Sequence, residues 1–170
     1  MIIIIIIAIL LFSCNNDFEK GTSIKTYIDN VIYGNPVRIE ISQNDIVSIK
    51  INSDTLHQYN KGNTILFGGV YADLFDKNGL KTSELHSDTA IVFNNSDSVK
   101  AIGNVLIESI KGFKLYTEEI ILYNKTKLIK STENIMFTSN TDTLYGIGFW
   151  SNFDMTNSQI QNPKGLIGNK

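Results

Sequence analysis

LHSDTAIVFNNSDSVKAIGNVLI, residues 85–107, is the stretch that sets the class of the fold. Leu85, Ser87, Thr89, Ile91 and Phe93 recur at every second position, the period that puts one set of side chains on one face of a strand. Asn94-Asn95-Ser96-Asp97 reads as a polar turn, after which Val99, Ala101, Gly103, Val105 and Ile107 alternate again. The stretch predicts a β-hairpin. The pattern returns through Phe113, Leu115, Thr117, Ile121 and Tyr123, turns at Asn124-Lys125-Thr126-Lys127, and comes back through Ile129, Ser131, Ile135 and Phe137; another copy opens at Asp142-Thr143-Leu144. A period of roughly 30 residues signals stacked supersecondary units. A single hairpin cannot bury its apolar face alone, so the units must stack.

Working outward, Pro36 to Ile41 and Ile46 to Ile51 alternate on either side of the turn Ser42-Gln43-Asn44-Asp45 and form another hairpin. Asn78-Gly79 is a strong hairpin signal after Tyr71 to Phe75, and the last strands run through Leu144 to Phe153. Gly103, Gly112, Gly146 and Gly148 fall beside or within strands, where glycine marks a bend or bulge, as a curved sheet needs. Strand formers and turn residues dominate, and no helix-length window gathers Ala, Leu and Glu. The 170 residues, 42% of them hydrophobic, suit one all-β domain.

Fifteen basic and 17 acidic residues give a net charge of -2 without a basic cluster, which argues against a nucleic-acid partner. Catalytic and metal-binding sets are also missing from the pattern. His86-Ser87-Asp88 holds the letters of a triad, but neighbours on a strand point to opposite faces. Glu118-Glu119 diverges for the same reason and makes no glycosidase pair. With two histidines and one cysteine there is no zinc set, so no metal, cofactor or enzymatic activity is expected.

Ile2 to Phe12 is an unbroken apolar run, too short to span a bilayer and matched to the core of a secretory signal. It ends in Leu11-Phe12-Ser13-Cys14, which resembles the lipobox of bacterial lipoproteins. Cys14 is the one cysteine in the chain; lipidation accounts for both its position and its solitude. The expected organisation is a lipoprotein signal peptide over 1–13, a lipidated N-terminus and polar tether over 14–34, and a β-domain over 35–167. Several acyl chains on Cys14 would make a durable membrane anchor.

Ala90-Ile91-Val92-Phe93, Ala101-Ile102-Gly103-Asn104-Val105, Gly112-Phe113-Lys114-Leu115-Tyr116-Thr117-Glu118-Glu119 and Tyr145-Gly146-Ile147-Gly148-Phe149 resemble the OstA-like repeats of lipopolysaccharide-transport proteins. Their order, behind a membrane anchor and before Gly148 to Asp154, resembles most the periplasmic LptC family. The resemblance implies a single open, folded-over β-jelly roll of antiparallel strands in two sheets, with lipid A acyl chains of lipopolysaccharide held between them. It also implies two protein partners: the inner-membrane lipopolysaccharide ABC transporter at one end, and at the other a periplasmic bridge protein of the same fold. The chain departs from many members in using a lipid anchor at Cys14 instead of a transmembrane helix.

The residues themselves point the same way. Strands with no covering helix must face one another, and a roll left slightly open presents an apolar trough. Ile91, Phe93, Val105, Ile107, Leu115, Ile121, Ile135, Phe137 and Phe149 are the expected lipid-binding lining. The first hairpin and the last strands are the expected edges, whose free N–H and C=O groups can accept a neighbouring roll. The expected location is the periplasmic side of the inner membrane, with sorting to the outer membrane left open. The competing reading is an envelope lipoprotein with a closed β-sandwich that binds a glycan or a protein through exposed aromatic residues such as Trp150.

Overall fold

The computed structural model describes residues 30–58, 62–93, 97–139 and 141–168, with side chains over 37–58, 62–93, 97–139 and 141–164. Cys14, the signal peptide and most of the tether lie outside the described residues. All regular structure among them is strand: β1 (Asn30–Gln43), β2 (Ile46–Gln58), β3 (Thr64–Phe75), β4 (Lys81–Ser87), β5 (Thr89–Phe93), β6 (Ser98–Ser109), β7 (Lys114–Tyr123), β8 (Leu128–Thr138), β9 (Asp142–Asn152) and β10 (Gln159–Gly168). β1 thus opens inside the stretch expected to be tether.

Every pairing is antiparallel, along the path β1-β2-β3-β4-β6-β7-β8-β9-β10, with β5 pairing β3 and β6. The turn chemistry explains the order. Asn44 and Asp45 both take positive φ, as a tight primed hairpin turn requires, and Asp76 Oδ1 accepts from the N–H groups of Asn78 and Leu80 at 2.8 and 2.9 Å.

A line of irregularities crosses the strands from β1 to β9. The register shifts between Tyr33 and Val37, Ser53 and Thr55, Ile102 and Val105, Thr117 and Ile121, and Ser131 and Asn134, and the break between β4 and β5 at Asp88 falls on the same line. Bulges bend strands, and a row of them makes a crease. Polar side chains hold it: Ser53 and Ser87 hydroxyls donate to the carbonyls of Thr55 and Thr89 at 3.2 and 3.1 Å, and Ser131 donates to Glu119 at 2.7 Å. These bonds satisfy carbonyls that the bulges remove from the ladder.

The crease divides the sheet into two layers whose inner faces cover each other. Layer one contributes Ile51, Leu74, Leu85, Ile107, Leu115 and Phe137; layer two contributes Leu66, Ala101, Ile120, Leu122, Ile129 and Phe149. The two expected sheets are therefore halves of one continuous sheet, folded over into an all-β jelly roll. Opposite the crease the strand ends meet. The β9–β10 loop reaches layer one, where Ser83 Oγ donates to the Phe153 carbonyl and Ser109 Oγ donates to that of Asp154 at 2.9 Å. The β7–β8 turn does the same through Lys127, whose Nζ donates to Ser48 Oγ.

Candidate functional site

The apolar interior is the candidate site, and cross-strand register builds it. In layer one a single row runs Ile39, Ile51, Ala72, Leu85, Ile107, Leu115, Phe137 and Leu144, each opposite the next. Its centre is closed, with Ile51, Ile107 and Leu115 at 0% exposure. Its ends are not. β1 and β10 terminate the hydrogen-bonded path without pairing each other, and there Val37, Ile39, Ile41, Leu144 and Ile160 are only partly buried. The apolar row thus runs from the packed core to the surface at both edges of the sheet, beneath β1 at one end and beneath β9 and β10 at the other. Phe113 and Phe137 stack at 5.8 Å between ring centroids, and Phe137 meets Phe149 at 5.5 Å. No buried side-chain polar atom among the described residues lacks a hydrogen-bond partner. The interior itself offers apolar contact and no charge.

Of the nine lining residues expected from the sequence, Val105, Ile107, Leu115, Ile135, Phe137 and Phe149 are buried together inside. Ile91, Phe93 and Ile121 are on the opposite, outer face, which corrects the expectation that they share the lining. The cause is the crease. Leu85 and Ser87 point inward, the chain breaks at Asp88, and Ala90 and Val92 take the inward positions that uniform alternation gives to Ile91 and Phe93. In β7 the bulge after Thr117 similarly turns Ile120 and Leu122 inward and Ile121 outward. The interior residues that alternation missed, Ala90, Ile120 and Leu122 among them, follow the polar triplets Ser87-Asp88-Thr89 and Thr117-Glu118-Glu119. Those triplets are the sequence mark of the flip.

Charges cluster at the clasp opposite the crease. Lys127 is packed over the Phe153 ring at 5.9 Å and donates to Asn124 Oδ1 at 3.1 Å; burial pushes its pKa down, with Asp97 opposing. Asp154 faces Lys111 at 2.8 Å. Burial alone would raise its carboxyl pKa, but hydrogen bonds from Lys111 and Thr156 outweigh it and hold the group below its ordinary range. A carboxyl depressed in the folded state adds stability above its unfolded pKa of about 4 and loses it as pH falls through the folded value. We expect thermal melts of Asp154→Asn to show stability lowered by about 1 kcal/mol at neutral pH and a flatter decline below about pH 4 than the parent chain. Parallel acid limbs in the two chains would show that this pair does not hold the clasp.

Comparisons with known proteins agree with this architecture. The family model "LptC: Lipopolysaccharide-assembly, LptC-related" matches residues 1–162. Among solved structures the chain is similar to LptH, the LptA homologous periplasmic component of the conserved lipopolysaccharide transport device from Pseudomonas aeruginosa, at 13% identity and a TM-score of 0.56, covering 72% of this chain and 95% of that one. At that identity the likeness speaks for the fold, the same β-jelly roll. No curated protein matches the chain. Members of the matched family serve transport and binding, not catalysis, and its proteins are periplasmic. The match spans nearly the whole chain and the roll has the corresponding fold, so this protein belongs to the LptC-related lipopolysaccharide-assembly family and has its role in lipopolysaccharide transport.

Proposed function

We propose that the protein is a membrane-anchored module that passes lipopolysaccharide along a periplasmic bridge, accepting it from the inner-membrane ABC transporter and handing it to a roll of the same fold. The observation that carries this reading is the apolar row of layer one, which crosses the interior and reaches the surface at the β1 edge and at the β10 edge. Acyl chains entering there exchange water for apolar contact at about 25 cal/mol per Å², while sugars and phosphates stay outside. The same two strands have free edges able to pair with a neighbour, so the apolar row of one roll can continue into the next. Such contacts are head-to-tail and do not close on themselves. Acylation of Cys14 would hold the roll at the membrane.

Val105, Ile107, Leu115, Ile135, Phe137 and Phe149 are the proposed walls of the path, with Ile39, Leu144 and Phe113 at its partly open rim. Photocrosslinking in cells from these three rim positions, with Glu84 as an outward control, tests the path. Lipopolysaccharide adducts at the rim and none at Glu84 are expected. The second reading, a closed sandwich that binds through its surface, is favoured by the sealed centre of the core and the 39% exposure of Trp150. Lipid-free rim positions in exported, folded protein would select it.

A further inference from the structure

The outer faces of the two layers differ in how their charges are paired. An antiparallel sheet with one face on the core ordinarily turns polar residues to water on the other. Layer one does so in one row, Glu40, Lys50, Asp73, Glu84, Glu108 and Lys114, tied by Glu40–Lys50 at 3.3 Å and by Glu108–Lys114, while its next row, Tyr71, His86, Leu106, Tyr116, Met136 and Tyr145, is largely aromatic and apolar. Layer two does not. Its corresponding row reads Ile65, Ile91, Lys100, Ile121, Lys130 and Trp150, with Tyr123 and Leu128 opposite each other one step further out.

Trp150, Tyr123 and Leu128 are 39%, 36% and 36% exposed and surround a groove of about 230 Å³ with Lys130 and Gln161. Glu119, beside Ile121 on β7, pairs with Lys100 at 2.8 Å. Lys130 has no carboxylate partner among the described residues, and Lys125 is exposed in the adjoining turn. The face therefore combines exposed apolar and aromatic side chains with two lysines, Lys125 and Lys130, that form no ion pair among the described residues. Trp and Tyr settle at the boundary between headgroups and acyl chains, and lysines beside them meet lipid phosphates.

We propose that the outer face of layer two, centred on Trp150, docks on the anionic headgroup layer of a phospholipid bilayer. The chain's path supports this occupant. β1 enters at Asn30, paired with Gln58 in layer two, at the strand ends where Phe93, Tyr123 and Leu128 also lie. From Cys14 to Asn30 the sixteen-residue connection reaches at most about 50 Å, so a chain held at Cys14 keeps this layer close to the membrane. That part rests on the proposed anchor; the chemistry of the face does not. Docked this way, the layer-two face lies on the bilayer and layer one is turned away from it.

Trp150 is the one tryptophan in the chain, so its fluorescence reports this face however the protein is attached. The full chain is floated with phosphatidylethanolamine–phosphatidylglycerol vesicles carrying phosphatidylglycerol brominated near the headgroup, and with phosphatidylcholine vesicles. The expected result is a blue shift, bromine quenching and loss of iodide access on the anionic vesicles only. Lys130→Gln is expected to reduce the docked-to-free ratio about fivefold. Flotation with Trp150 still open to iodide would overturn the docking and leave the anchor standing; absence of flotation would overturn both. Concentration-dependent shielding of Trp150 without vesicles would overturn it in favour of a second copy of the chain.

Discussion

Phe149→Ala is expected to lower stability by about 3–5 kcal/mol, a large share of what holds a domain of this size together. Phe149 is fully buried, and it lies beside the crease, where layer two begins. Its ring meets Phe137 of layer one, which in turn stacks on Phe113 near the rim. Removing it leaves a cavity where the two layers join, and a folded sheet has little freedom to collapse there without undoing the crease. Urea unfolding measures the loss. Phe149→Leu keeps most of the volume and is expected to cost under half as much. Equal losses from both would mean that the site relaxes freely and that the aromatic chain from Phe113 to Phe149 is not what joins the layers.

Gly103→Val is the second large effect, expected at about 2–5 kcal/mol. Gly103 has φ of +81°, which a β-branched residue adopts only at a cost of about 1–3 kcal/mol. A Cβ there would also lie 2.5 Å from Asp88 Oδ2, in the break between β4 and β5. The Asp88 carboxylate accepts from Asn104 Nδ2 at 2.8 Å, and the Asp88 N–H donates to the Gly103 carbonyl at 3.0 Å, so displacing Asp88 disturbs the crease where it crosses β6. Denaturant melts of Gly103→Val, Asp88→Gly and the double variant separate the two terms. The double variant is expected to recover the crowding and not the backbone strain. Full recovery would mean that φ at this position costs nothing. Gly68 repeats the arrangement, with φ of +83° and the Asp54 Cβ 2.8 Å from where its own would be, so the crease uses one glycine–aspartate device twice.

The clasp bears on how a transported lipid would gain entry. Lys127 on Ser48 and the β9–β10 loop on Ser83 and Ser109 join the layers opposite the crease, while β1 and β10 each leave an unpaired edge at opposite ends of the sheet. The described arrangement is therefore shut along the strand ends and partly open and apolar at the two sheet edges. Lipid reaching the buried row enters at one of the two sheet edges, beneath β1 or β10, or parts the clasp, and the rim crosslinks and the Asp154 variant address these two routes separately.

Alternation and turn residues by themselves determined the all-β class, the hairpins at Asn44-Asp45 and Asn78-Gly79, and six of the interior residues, because these depend on neighbours one or two positions apart in the chain. The repeated segments likewise carried the family. Tertiary structure alone decided the crease, which depends on bulges lining up across strands that are distant in sequence, and with it the inward turn of Ala90, Ile120 and Leu122 and the outward turn of Ile91, Phe93 and Ile121. It also decided that one sheet makes both layers and that their outer faces differ. A period of two says which residues share a face only while the strand is regular; each bulge resets the count, and partner strands determine where the bulges fall.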